Sequence, residues 1–405
     1  MHVAVLGGGL QGCSVALALA DKGVKVCIYD KNEKLLSKAA IANEGKIHLG
    51  YMYAGDPSLN TAKMMMRGAM AFEPFFKRHL GQLAQPLSTS LAATYVVHRE
   101  TQVSAEKVCA YLHTVHELVQ KSTAEREWSY FGQDLRADLR AWSTAELEEH
   151  FDPSFALSAL STPEVAIDPV ALAEGVRDCV ETHPLIEVRC DSPVRSAKEQ
   201  DKGIRVIGED GMFSDGPFDH VVNALWDGRI AFNEASGFST RRAWLHRLKY
   251  GLSFRLPADV TPKVSATFVL GPFGEVVSYR NGTVYLTWYP ECLHGMSKDV
   301  KPPEWPTNPP EPLSSRIRKG TLGALAAIVP SLNDLDPEDL QDACVKGGVI
   351  VAWGKTDIYD PVSELHRRFE IGISSEGNFH SIDPGKLTMA PFFAEVCAER
   401  ISPTV

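Results

Sequence analysis

The stretch His2-Val3-Ala4-Val5-Leu6-Gly7-Gly8-Gly9-Leu10-Gln11-Gly12-Cys13 decides the fold. His2 to Leu6 reads as a short buried strand. Gly7, Gly9 and Gly12 complete G-x-G-x-x-G, and Cys13 to Asp21 continues as an alanine- and leucine-rich helix. The first glycine permits a sharp turn, and the second lets a pyrophosphate approach backbone N–H groups around Leu10 and Gln11 at the positive end of the helix. The third lets that helix pack close on the strand. A second apolar run, Val24 to Tyr29, ends in Asp30-Lys31, which places an acid where it accepts hydrogen bonds from ribose hydroxyls. The unit predicts a Rossmann-like domain holding an ADP-containing dinucleotide, and Asp30 disfavours a 2′-phosphate.

Working outward, 405 residues suggest two domains, and a net charge of -10 argues against nucleic acid or an anionic membrane as a main partner. No apolar run reaches membrane-spanning length, and the first strand leaves no room for a leader, so the expected address is cytoplasmic. Eight cysteines lie scattered without a C-x-x-C pair, which indicates neither a zinc site nor a disulfide framework. His113 and His116 share a helix face, but no third ligand stands nearby, and no metal is expected.

After Asp30 the chain runs through a polar stretch into Asn43-Glu44-Gly45-Lys46-Ile47-His48-Leu49-Gly50-Tyr51-Met52-Tyr53. These residues suit a wall for a flat ring with polar edges: Gly45 and Gly50 permit backbone approach, Asn43 meets ring carbonyls, and Tyr51 or Tyr53 lines the substrate side. The pattern N-x-G-x-I-H-x-G-Y-x-Y resembles the early flavin-contacting segment of the D-amino-acid oxidase superfamily, which includes glycine and sarcosine oxidases. Its I-H-x-G also resembles the L-2-hydroxyglutarate dehydrogenase branch. The resemblance implies FAD, with Lys46, Ile47 and their neighbours along the ring. His48 is either an ordinary packed histidine or a flavin-side group, and in the second case a candidate base. The S-H-G context and the cysteine through which some relatives attach FAD are missing, so the expected FAD is noncovalent.

Strand candidates at 186–190, 194–197, 204–207 and 220–224 resemble the returning part of the same domain, with Val194 near adenine and Asn223-Ala224 closing on the pyrophosphate. Residues 245–330 read as a mainly antiparallel unit with an Asn281-Gly282 hairpin, Trp288 and Tyr289 being core aromatics or a substrate wall. The proline-dense stretch 302–312 reads as a solvent loop. Arg367 and Arg368 are candidates for a guanidinium fork on a substrate carboxylate, a role the resemblance implies for this stretch. Asp383-Pro384-Gly385-Lys386-Leu387-Thr388 resembles the superfamily's final flavin motif. Pro384 is expected to open a helix whose positive end, helped by Lys386, faces the flavin edge where negative charge accumulates.

The expected architecture is α/β, or α+β overall. Segments 1–80, 150–235 and 340–405 form the FAD-binding domain, and 81–149 with 236–339 form a β-rich substrate domain. The expected activity is hydride transfer from an amine or amino-acid C–H bond to flavin N5, with His48, Tyr53, Arg367 and Lys386 as catalytic candidates and Tyr51, Trp288 and the arginine pair touching substrate. A 2-hydroxy-acid dehydrogenase is the nearest alternative, and a non-catalytic flavin-binding partner subunit is the alternative of another class.

Overall fold

The computed structural model describes residues 1–81, 87–126, 128–240 and 242–404. Its first sheet has six strands in the order Gly372–Glu376, Phe379–Asp383, His220–Asn223, His2–Leu6, Lys25–Tyr29 and Ile186–Arg189. All neighbours are parallel except the first pair. The central strand is apolar on both faces because both are covered, as a parallel sheet requires. The helix Leu10–Ala20 packs on one face, itself buried along its whole length, and the three-stranded meander 194–200, 203–208 and 214–218 covers the other through Ala197, Ile204, Val206 and Phe218.

The second sheet is nine-stranded and mostly antiparallel, centred on the long strand Trp244–Arg255. It includes Ala156–Ser161, paired with Ala93–His98, and Gln341–Trp353, paired along Trp244–Arg255. These two strands lie in segments expected to belong wholly to the FAD domain, so the boundaries at 150 and 340 shift. The hydrogen bonds of long antiparallel strands hold them to the other sheet whatever their position in sequence. Parity divides this sheet cleanly. Leu248, Tyr250, Leu252, Val276, Val284, Leu286 and Trp288 join Ile317, Leu322 and Leu325 of the helix Leu313–Ala326 in one core. Residues of opposite parity face the first domain, and there the two sheets enclose a cavity of about 1220 Å³.

Locally, several elements follow from single residues. Asp168 caps the helix Pro169–Glu181 by accepting from Val170 N and Ala171 N, and Ser143 with Glu146 forms a reciprocal capping box. The hairpin between Gly274–Ser278 and Thr283–Trp288 turns at Gly282, whose φ of +83° suits glycine. No helix among the described residues is long and apolar enough to cross a membrane.

Candidate active site

The glycine turn forms one end of the cavity. Gly7 has a φ of +98°, and a Cβ on Gly12 would sit 1.8 Å from Gly7 O, so the turn closes only without side chains. Gly9 differs: a Cβ there would meet nothing within 4 Å, because it points into the cavity. No side chain caps the helix that follows, and no acidic residue stands in its first turn, so its free N–H groups and positive end are left for an anion. Leu10 and Gln11 line the cavity, as do Asp30, Lys31, Val194 and Ala224. Asp30 is buried, accepts from Gly8 N at 2.7 Å and from Asn32 N at 2.8 Å, and so is fixed against the glycine turn.

The flavin-side loop is held differently from the sequence expectation. Asn43 lines the cavity, but its amide donates to Ala39 O and Ala40 O and its oxygen accepts from Gly45 N, so its polar atoms are spent within the loop. Gly45 and Gly50 make room for protein instead of a ring: their absent Cβ atoms would meet Ile167 O at 1.9 Å and Ala62 Cα at 2.8 Å. Ile47 is core, with its carbonyl accepting from Tyr130 OH. Lys46, His48 and Tyr53 do line the cavity. Tyr51 faces away and shares a 2.8 Å hydrogen bond with His116 Nδ1, because residues 51 and 53 diverge across the turn. Thr388 accepts from His48 N and donates to Lys46 O, fastening this loop to the C-terminal motif.

That motif contributes Pro384, Gly385, Lys386 and Leu387 to the cavity, while Asp383 lies behind, accepting from Gly385 N and standing 3.3 Å from Arg229 Nη2. The helix does not open at Pro384. A single 3₁₀ turn, Leu387–Met389, precedes Ala390–Ile401, and Pro391 takes the proline position in its first turn. Asn223 also sits behind the wall, where its side chain shapes the following turn through Arg229 O and Leu225 N.

Of the arginine pair, Arg367 is exposed and outside the cavity, whereas Arg368 is buried in its wall and donates to Val351 O. Trp288 has the parity of Val284 and Leu286 and therefore packs in the helix-facing core against Phe268; it is Tyr289 that lines the cavity. The proline-dense stretch is not a free solvent loop. Lys301 to Thr307 form part of the cavity wall, held by Tyr250 OH donating to Pro306 O and Gly347 N donating to Thr307 O.

Several lining residues were not singled out from sequence. Arg247 is only 1% exposed, lies over the Tyr289 ring, and forms an ion pair with Asp357 2.8 Å from Nε, yet neither Nε nor Nη2 makes a hydrogen bond among the described residues. Lys249, two residues on and on the same face, pairs with Glu44 at 3.1 Å, and Lys46 pairs with Glu275 at 2.7 Å. Burial disfavours the Glu44 carboxylate, but Lys249, Lys386, His48 and Lys46 outweigh it and hold the pKa far below the usual range. Glu164, fully buried, is likewise opposed by burial and held low by His48 and Lys46. It accepts from Tyr95 OH and Leu49 N and lies 3.4 Å from His48 Nδ1. Lys386 has no carboxylate within ion-pair distance among the described residues, and burial pulls it down to about 8 against the attraction of Glu44. A charge alternation, Arg247-x-Lys249, inside an apolar strand is the signal that would have revealed this face.

The donor set suits FAD: an uncapped helix end beside Gly9 for the pyrophosphate, Asp30 for the ribose, and Lys386 for a flavin edge that gains negative charge on reduction. Comparison with known proteins agrees. Among solved structures, glycine oxidase from Geobacillus kaustophilus superposes with a TM-score of 0.71 at 12% identity over 98% of this chain and 94% of that one. Iminodiacetate oxidase from Chelativorans sp. BNC1 gives 0.69 at 16% identity over the same shares. Glycerol 3-phosphate oxidase of Mycoplasma pneumoniae (strain ATCC 29342 / M129 / Subtype 1) is 31% identical over 98 residues, 24% of this chain and 25% of that protein. The matched stretches span 14% to 28% of the curated relatives' lengths. The family model DAO, FAD dependent oxidoreductase, matches residues 2–353, and the chain belongs to this family of FAD-dependent oxidoreductases.

Proposed function

We propose that the protein oxidises a small carboxylate-bearing amine or amino acid, with FAD held noncovalently. The observation that carries this reading is Arg247, a buried guanidinium at the cavity with Nη2 unpartnered. Leaving such a donor unsatisfied in a buried wall costs free energy that a substrate carboxylate recovers, and the planar fork suits that group. Arg368 lies close by, and the buried Tyr53 hydroxyl, whose pKa burial raises, is also unpartnered. The amine-oxidising activities named for iminodiacetate oxidase and glycine oxidase accord with this substrate class.

FAD held by the glycine turn, Asp30 and the C-terminal motif would supply the acceptor for a hydride from the substrate C–H bond. The residues of the chain do the remaining work. Arg247 and Arg368 fix the carboxylate and thereby the direction of the C–H bond, and the buried wall excludes water. Lys386 would stabilise negative charge developing at the edge of a bound flavin. Noncovalent attachment is supported by a wall that holds no cysteine among the described residues. The second reading, oxidation of a 2-hydroxy acid, is favoured by the pairing of His48 with Glu164: a buried carboxylate behind an imidazole equips it to take a hydroxyl proton. Anaerobic mixing of the holoenzyme with amino acids, N-substituted glycines and 2-hydroxy acids, while following flavin absorbance, tests these readings. Bleaching by amines supports the first, bleaching by hydroxy acids alone the second, and none with any donor would leave a flavin-binding partner subunit.

A further inference from the structure

The sheet face turned toward the cavity is polar where aliphatic side chains would fill the space. Thr267 and Glu275 are direct cross-strand partners, as are Glu275 and Thr287, so the three make a row across three strands, and all line the cavity. Lys249 projects from the strand beside them. Lys46 and Glu44 reach down from the opposite domain, Lys46 to Glu275 and Thr267, Glu44 to Lys249. The two cations and two anions neutralise one another in pairs. Folding alone does not call for such a wall, because buried ion pairs are rarely more stabilising than apolar residues of the same volume.

We propose that this wall is a second substrate subsite, taking a neutral hydrogen-bonding group, a hydroxyl or carboxamide, carried a few bonds from the carboxylate. The proposal rests on the reading of Arg247 as carboxylate anchor. Arg247 and Lys249 are two residues apart on one strand face, which separates anchor and subsite by roughly 7 Å, the reach of a short chain. An apolar group placed there would strip water from four paired charges and return no hydrogen bond. An ammonium or a second carboxylate would add a charge to a set whose four members are already paired with one another.

Titration calorimetry of the holoenzyme under nitrogen tests this with butyrate, 4-hydroxybutyrate, succinamate, succinate and 4-aminobutyrate as probes. The expected result is that 4-hydroxybutyrate or succinamate binds roughly fivefold tighter than butyrate, and tighter than either doubly functional ion. Thr287→Val, a near-isosteric loss of one hydroxyl, brings that ratio toward one, and Thr267→Val does the same should the first variant fold poorly. Equal binding of butyrate and both neutral polar probes, a preference for succinate or 4-aminobutyrate, or a ratio that survives both valine substitutions overturns the subsite. If no probe binds, and Arg247→Lys changes nothing, the carboxylate anchor itself falls and the subsite with it.

Discussion

Replacing Arg247 by lysine probes the substrate anchor most directly. The guanidinium is buried, stands over Tyr289 and keeps Asp357 near Nε, leaving Nη2 without a partner. A substrate carboxylate bound there gains two charge-assisted hydrogen bonds in a fixed fork, and lysine retains the charge but supplies one. One such bond is worth about 1.5–3 kcal/mol, so the substrate concentration for half-maximal flavin reduction should rise roughly 10- to 150-fold. Flavin content and melting temperature should change little, since the lysine still meets Asp357. The assay is anaerobic stopped-flow reduction with the best carboxylate substrate, repeated with its amide, for which the two enzymes should converge. Arg368→Lys should show a smaller effect, because its Nη1 already donates to Val351 O. Should Arg247→Lys reduce its flavin at wild-type concentrations of every carboxylate tested, Arg247 is a structural cation and the argument fails.

Three further substitutions separate cofactor, base and charge. Gly9→Ala should leave the melting temperature of the apoprotein near wild type while lowering FAD affinity, since the added methyl enters the cavity; Gly12→Ala should destabilise the apoprotein itself, its Cβ meeting Gly7 O. Equal melting losses in both would refute that division. Glu164→Gln should slow flavin reduction by a 2-hydroxy acid roughly 10²-fold at pH 7; an unchanged rate makes His48 a packing residue. Lys386 releases its proton at about 8 in the folded protein and near 10.5 when unfolded, burial being the main cause. The unfolded chain therefore binds more protons across that window, so the lysine's penalty on folding is fully present below pH 8 and disappears as pH rises to 10.5. Lys386→Met should accordingly stabilise the apoprotein most at pH 7, with the gain closing by pH 10.5 in denaturant titrations; a constant difference would count against the shifted lysine.

The parts legible in sequence were those where one chemistry fits one backbone. Gly7 and Gly12 announce a strand-turn-helix because a side chain at either would not fit the turn, Gly9 completes the pattern where the cavity opens, and Asp168-Pro169 announces a helix start because cap and fixed φ coincide. The parts that stayed hidden depend on partners distant in the chain. Gly45 and Gly50 look like ring-facing glycines until Ile167 and Ala62 are seen against them, and Trp288 looks like a cavity aromatic until strand parity turns it into the helix-facing core. Arg367 and Arg368 are indistinguishable as neighbours in sequence, yet one is exposed and the other buried.

Strand parity explains why the charged cavity face in particular was missed. A strand buried on both sides is ordinarily apolar throughout, so Arg247 and Lys249 in Trp244–Arg255 read as interruptions of a hydrophobic pattern and not as a face of their own. Their counter-ions come from other places: Asp357 lies more than a hundred residues on, and Glu44 belongs to the opposite domain. Each domain thus contributes one lysine and one glutamate to the wall, but neither pairs its own. Lys46–Glu275 and Lys249–Glu44 both cross the gap between the sheets, so the charges of the cavity are paired only when the two sheets are docked. Removing one partner would leave a buried charge unmatched and cost about 3–5 kcal/mol, which makes the polar cavity wall and the docking of the two domains a single energetic unit.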